Sequence, residues 1–373
     1  MCYRVWWIDF VPLRPCGLQF PPPEIGPLES LQRQWHWRFV LGTEEKEKFR
    51  TLMRMQENFT GCRVLSYCLM DNHFHLLLEV PPMAESGISD EELLKRLSAI
   101  YGEAFVSSVS QELADARSAT YTSESGMDEA VAAIQKRFTY RMQDLAEFMK
   151  GLLQRFSQWF NRAHSRSGTL WEDRFKSVIV EDGVAARTIS AYIDLNPVRA
   201  GMVKDPAEYR WSSYGEAVGG GNKGNGKKAR EGLVRAFFCD QGVGCDAGKW
   251  AEVSRLYRRL MGLALSRKSG RADVSQSAKG LGQTTKNTSE LLESEDNETV
   301  LKDLRMAKML RCRVRYFTDG AVIGSKEFVN EAFASARERF TEKRKDGARR
   351  MRGNGKAAAG VLWSLRDLRL GIG

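Results

Sequence analysis

The stretch Cys62-Arg63-Val64-Leu65-Ser66-Tyr67-Cys68-Leu69-Met70-Asp71-Asn72-His73-Phe74-His75-Leu76-Leu77-Leu78-Glu79-Val80 decides how this chain is read. Two β-rich runs flank the turn-forming pair Asp71-Asn72, and Pro81-Pro82 closes the second run, so the segment predicts a β-hairpin. In the second run His73 and His75 stand two apart and share one strand face. Phe74, Leu76, Leu78 and Val80 take the opposite face, which is expected to own the core. Two neighbouring imidazoles can chelate one divalent cation. The chain has four histidines in all, and His36 and His164 have no comparable partners. His164 is expected to lie exposed in a basic loop.

Working outward, Thr43 to Asn58 carries Phe49, Leu52, Met53 and Met55 among charges and reads as an amphipathic helix with Thr43 as N-cap. Glu85 to Tyr140 is polar with helical spacing and shows no chemistry; it reads as a helical insertion. Phe148, Leu152, Leu153, Phe156, Trp159 and Phe160 predict a helix to about Ala163, followed by a basic loop. Arg174 to Val180 alternates as a short strand. Ala185 to Asn196 reads as a helix stopped by Pro197, because the residue before a proline is pushed out of the α region.

The glycine-rich run from Gly219 to Gly226 reads as a linker and domain boundary. Gly221 to Lys227 also has the spacing of a phosphate-binding loop, but Lys228 stands where Ser or Thr would hold magnesium, and no buried strand precedes it. Nucleotide binding is not expected there. Beyond it, Leu233 to Phe238, Val253 to Leu265 and Val300 to Leu310 read as helical, and Ser325 as the cap of a helix through Arg339. The chain therefore divides into an irregular segment 1–35, a core 36–218 containing the insertion 85–140, a linker 219–232 and a helical, basic region 233–373.

Composition excludes whole classes. With 373 residues and 42% hydrophobic content, the chain can bury one or two cores. It has no apolar run of the length that spans a bilayer. The apolar start, Met1 to Phe10, lacks a basic opening and is a poor signal peptide. Seven cysteines without a Cys-x-x-Cys pair argue against a disulfide framework or structural zinc, and a reducing cytoplasm is expected. The net charge of +10 sits in the tail: residues 301–373 hold 18 Lys or Arg against 8 Asp or Glu. Such a segment concentrates polyanions and suggests a phosphate backbone as partner.

Tyr192 and Asn196 lie four apart in the helix before Pro197 and are expected to project from one face. Tyrosine supplies a nucleophile and asparagine a neutral oxygen ligand. The negative end of the helix dipole favours a cation nearby. A phenol with an ordinary pKa of about 10 attacks poorly at neutral pH unless a metal or base assists it.

Three strings occur in order: Tyr67 to Leu78, Gly168-Thr169-Leu170-Trp171-Glu172-Asp173-Arg174-Phe175-Lys176-Ser177, and Tyr192-Ile193-Asp194-Leu195-Asn196-Pro197-Val198-Arg199-Ala200-Gly201. Together they resemble the REP-associated tyrosine transposases, members of the single-tyrosine HUH family whose signature is two histidines flanking a hydrophobic residue, here Phe74. The resemblance covers roughly Arg38 to Val218. It implies an α+β fold: a ferredoxin-like antiparallel sheet with helices on one side, the histidines on a central strand and the tyrosine on a helix beside it. It further implies that His73 and His75 hold Mg2+ or Mn2+, that Asn196 completes the site, and that Tyr192 is the nucleophile. The expected partner is single-stranded DNA beside a hairpin, bound by a monomer or homodimer. Arg162, Arg166, Arg174, Lys176 and Arg199 are the expected phosphate contacts, with Trp171 available to stack on a base.

The family's usual first strand has no clean counterpart before Phe39. Either Tyr3 to Val11 supplies it across the proline-rich segment Cys16 to Pro27, or the strand is missing. Accordingly, two readings stand beside each other: an active transposase, and an inactive relative that only binds DNA. A His-x-His oxygenase is a third, disfavoured because only His36 and His164 remain as further imidazole ligands.

Overall fold

The computed structural model describes residues 4–9, 41–84, 87–119, 124–171, 175–221, 223–238, 247–265, 310, 320–351 and 362–366. Its frame is one sheet of seven strands in the order β2-β3-β1-β4-β5-β7-β6. Strands β2 (Arg63–Leu69) and β3 (Phe74–Val80) form the expected hairpin, with Cys68 opposite His75 and Leu69 opposite Phe74. Strand β1 (Arg4–Asp9) lies in the middle of the sheet, antiparallel to both β3 and β4 (Lys176–Val180). Of the two alternatives left open by the sequence, Tyr3 to Val11 is thus the one that supplies the first strand.

The expectation of helices on one side is corrected. Period two along β3 sends Phe74, Leu76 and Leu78 to one face and His75 and Leu77 to the other, and both faces are covered. Helices α1 (Thr43–Thr60) and α5 (Leu145–Ala163) close the first face, where Phe49, Met53, Phe148, Leu152 and Phe156 pack on the three β3 residues. The second face is closed by α6 (Val184–Asp194), α9 (Gly224–Phe238) and α10 (Trp250–Leu265), through Ile189, Ile193, Leu233, Val234 and Leu260. The histidine face is therefore a second core.

Between the two halves of the core, α2 (Asp90–Ser98), α3 (Glu103–Ser118) and α4 (Glu124–Thr139) form the insertion. Leu93, Leu97, Val109, Leu113 and Phe138 pack there against Phe59 of α1. Helix α1 starts with Thr43 itself, and Gly42 occupies the cap position assigned to that threonine.

Three further expectations are corrected. Helix α6 ends at Asp194, and Asn196 opens a separate turn, α7 (Asn196–Arg199), with Pro197 in its first turn. Proline lacks an N–H, which the start of a helix does not need, so Pro197 begins a turn rather than stopping one. The glycine run is no open linker. It is a tight turn between α8 (Ser213–Gly219) and α9, and a Cβ on Gly226 would stand 2.3 Å from the Gly220 carbonyl oxygen. The C-terminal region is not merely helical. Strand β5 (Gly320–Gly324) joins β4 in parallel, α11 (Lys326–Ser335) follows with Ser325 as its cap, and β7 (Trp363–Arg366) and β6 (Arg349–Arg350) extend the sheet. The helix expected over Val300 to Leu310 lies outside the described residues except for Leu310.

Candidate active site

The hairpin turn positions the two imidazoles. Asp71 is tied to the Lys46 ammonium of α1, and its carbonyl accepts the Leu41 N–H at 2.8 Å. Lys46 also donates to the Tyr209 hydroxyl at 3.2 Å, which in turn donates to the Leu69 carbonyl at 2.6 Å. Across the turn, Asn72 Oδ1 lies 2.7 Å from His73 Nδ1. With the carboxamide oxygen as acceptor, Nδ1 carries the proton and Nε2 is left with the lone pair that a metal can take.

His73 precedes β3 and His75 is its second residue; their ring centres are 4.9 Å apart at 85°. Burial, reinforced by the neighbouring His75, pushes His73 down to about 3. It is therefore neutral across the physiological range, and a neutral imidazole can ligate. His75 is 4% exposed and points, with its cross-strand neighbour Cys68, toward α6.

Tyr192 comes from α6 on the same face. Its ring centre lies 6.3 Å from that of His75 at 79°, and it is 1% exposed. The Arg199 guanidinium stands 4.8 Å from the Tyr192 ring and donates to the Tyr192 carbonyl at 3.4 Å and to the Leu310 carbonyl. Asn196 sits one turn beyond Tyr192 across the helix break, half-buried. Its Nδ2 is a buried atom with no hydrogen-bond partner among the described residues.

The structure brings together His73, His75, Tyr192 and Arg199. The partly exposed Trp171 indole packs edge-on to Phe74 at 5.9 Å, lies against Phe156 at 5.8 Å and donates to the Leu153 carbonyl at 3.3 Å. Arg162 and Lys176 are exposed and form no ion pair among the described residues, while Arg166 lies 5.9 Å from the Phe160 ring. Arg174 lies outside the described residues. His164, expected to be exposed, is half-buried: its Nε2 meets Glu45 Oε1 at 2.9 Å and its ring packs on Phe160 at 4.2 Å.

Sequence reasoning missed Asp194. It is fully buried two residues after Tyr192, accepts the Tyr214 N–H at 2.9 Å and the Tyr257 hydroxyl at 2.6 Å, and so anchors the end of α6. Burial outweighs these bonds and raises its carboxyl to about 7. A charged residue in the otherwise apolar run Ala191 to Leu195 was the available signal.

No group of three His, Cys, Asp or Glu side chains able to hold a metal occurs among the described residues. A cation at the histidine pair would thus draw its remaining ligands from Asn196, water and substrate oxygens. That donor set, two imidazoles with one carboxamide, fits a cation that keeps open positions for a phosphate. Among the described residues no helix is long and apolar enough to cross a membrane.

The molecule is an α+β protein with a histidine pair whose buried member, His75, lies beside a tyrosine. No protein-family model matches the chain, and no curated protein matches it. A solved structure of a REP-associated tyrosine transposase bound to a REP hairpin is similar to it over 60% of this chain and 83% of that one, at 12% identity and a TM-score of 0.32.

Proposed function

We propose that this chain is a metal-dependent single-tyrosine transposase that cleaves and rejoins single-stranded DNA beside hairpins. The observation that carries the reading is the convergence of His73, His75 and Tyr192, from segments far apart in sequence, on one face of the sheet.

In this reading His73, His75 and Asn196 hold Mg2+ or Mn2+. The bound cation supplies Lewis-acid polarisation of the scissile phosphate. Tyr192 Oη attacks phosphorus in line, giving its proton to solvent, while the P–O3′ bond breaks and the 3′ oxygen takes up a proton. The product is a 5′-phosphotyrosine. Because one phosphoester replaces another, rejoining needs no nucleoside triphosphate. Arg199 orients the phenol, and Arg162 and Lys176 offer exposed charge to the strand.

A second reading, a catalytically silent DNA binder, is favoured by the 1% exposure of Tyr192, which must open toward substrate before it can attack. The central β1 removes the other ground for that reading, a missing first strand.

The test incubates the full chain and its Tyr192→Phe variant with hairpin-flanked single-stranded DNA, with and without Mg2+ or Mn2+. A metal-dependent covalent adduct on the 5′ end, lost in Tyr192→Phe and in His73→Ala/His75→Ala, is expected. DNA retention without an adduct would establish the silent binder instead.

A further inference from the structure

The C-terminal unit extends the sheet beyond β4 and is joined to it by strand pairing and a side-chain clasp. Ile179 and Val180 of β4 pair with Val322 and Ile323 of β5. The next residue, Glu181, receives the Ser325 hydroxyl at 2.8 Å and also the Ser325 N–H, so the start of α11 is fixed to the end of β4.

After α11, the chain from 336 to 349 folds back over the helix, and two arginines hold it there. Arg337 donates to the carbonyls of Phe340, Thr341 and Glu342, and Arg344 to those of Asp346 and Gly347. Both guanidiniums also lie on aromatic rings, Arg337 at 5.5 Å from Phe333 and Arg344 at 4.8 Å from Phe340. Gly347 is pressed on the Phe333 side chain so closely that a Cβ would come within 2.2 Å of it. The loop is thereby set in one shape.

What that shape displays is charge. Arg339, Lys343, Lys345 and Arg349 are exposed and form no ion pair among the described residues, although Glu338, Glu342 and Asp346 lie in the same stretch. Some exposed cations elsewhere are matched, as Arg117 is by Asp90 and Arg137 by Glu112. The rings of the loop offer no stacking platform: Phe333 is buried, and Phe340 is covered by Arg344. A surface of unmatched cations without open aromatic faces suits phosphates whose bases are already paired, rather than an unpaired strand.

We infer that Arg339, Lys343, Lys345 and Arg349 form a second DNA surface that holds double-stranded DNA by its phosphates, independently of sequence. The choice of DNA among polyanions rests on the proposed function; the surface itself does not. The core would act on the unpaired strand while this unit grips an adjoining stem.

The experiment measures binding of the full chain, without metal, to a blunt duplex and to a hairpin-free single strand over a range of salt concentrations. Each displaced phosphate counterion contributes about 0.9 to the slope of log K against log salt on duplex DNA. The variant Arg339→Gln/Lys343→Gln/Lys345→Gln/Arg349→Gln is therefore expected to lose roughly 3 to 4 from the duplex slope and to bind duplex roughly 10- to 100-fold more weakly at low salt, with single-strand binding unchanged. A charge-keeping variant, Arg339→Lys/Lys343→Arg/Lys345→Arg/Arg349→Lys, should bind duplex as the parent does. An unchanged duplex slope in the neutral variant, an equal loss on single strands, or failure of the charge-keeping variant would each overturn the inference. Because no cleavage is read, a chain that never forms a tyrosine adduct still tests it.

Discussion

The Arg199 guanidinium lies 4.8 Å from the centre of the Tyr192 ring. This is an arrangement in which one residue of the turn that follows α6 grips the proposed nucleophile. A cation over an aromatic face contributes about 0.5 to 2 kcal/mol. Arg199→Ala is expected to slow single-turnover adduct formation by roughly 2- to 30-fold at saturating DNA, with Arg199→Lys losing less. Single-turnover rates measured beside DNA affinity check this. A loss confined to affinity would return Arg199 to the phosphate contact that the sequence suggested.

Asp194 predicts a pH dependence of stability with an uncommon sign. Burial raises its carboxyl from 3.8 to about 7 in the folded protein, so the folded state holds the proton more tightly than the unfolded chain does. Its contribution is fully present below pH 3.8 and declines as pH rises toward 7. At about 1.4 kcal/mol per pH unit, the span corresponds to at most about 4 kcal/mol. Asp194→Asn, which keeps an oxygen for the Tyr214 N–H, should gain stability relative to the parent as pH is raised from 5 to 8. Denaturant unfolding of both proteins at the two pH values measures the difference; a constant difference would refute it.

The hairpin was legible because each of its signals is local: the turn pair, the alternation and the closing prolines all lie between Cys62 and Pro82. The pairing of His75 with Tyr192 was legible only through the order of the three strings, since no periodicity relates β3 to α6. The second core was not legible. Leu77 and Cys68 are single apolar positions on a face that also carries imidazoles, and only the packing of α6 and α9 reveals that the face is covered. Pro197 misled for a related reason: the rule that proline stops helices and the rule that it starts them act on the same residue, and the neighbouring turn decides between them. Asp194 escaped notice because its partners, Tyr214 and Tyr257, lie on other elements.

Helix α9 approaches β2 through a glycine, and this contact predicts a steric cost. A Cβ on Gly232 would stand 2.4 Å from the Val64 carbonyl oxygen and 2.9 Å from that of Leu65. Both are backbone atoms of the strand paired with the histidine strand, so they cannot swing aside. Gly232→Val should destabilise by about 1 to 3 kcal/mol or more, the range for overpacking a core. Its thermal midpoint should fall, whereas Gly219→Ala, with open space around it, should leave the midpoint nearly unchanged.

The central position of β1 makes the sharpest prediction about the fold. Its backbone pairs from Arg4 opposite Val80 to Ile8 opposite Leu76 on one side, and from Val5 opposite Val180 to Asp9 opposite Lys176 on the other. Deleting residues 1–11 would leave the facing groups of β3 and β4 without partners inside the sheet, at about 1 to 3 kcal/mol for each buried group. Several such groups exceed the whole stability of an ordinary domain, about 5 to 15 kcal/mol. A chain lacking residues 1–11 should therefore fail to reach a cooperative native state, seen as loss of a sigmoidal unfolding transition. Replacing Cys16 to Pro27, which the sequence reads as an extended connector, by a glycine-serine segment of equal length should preserve it. A truncated chain that unfolds cooperatively and still retains DNA would remove β1 from the sheet and, with it, the continuity between the histidine strand and β4.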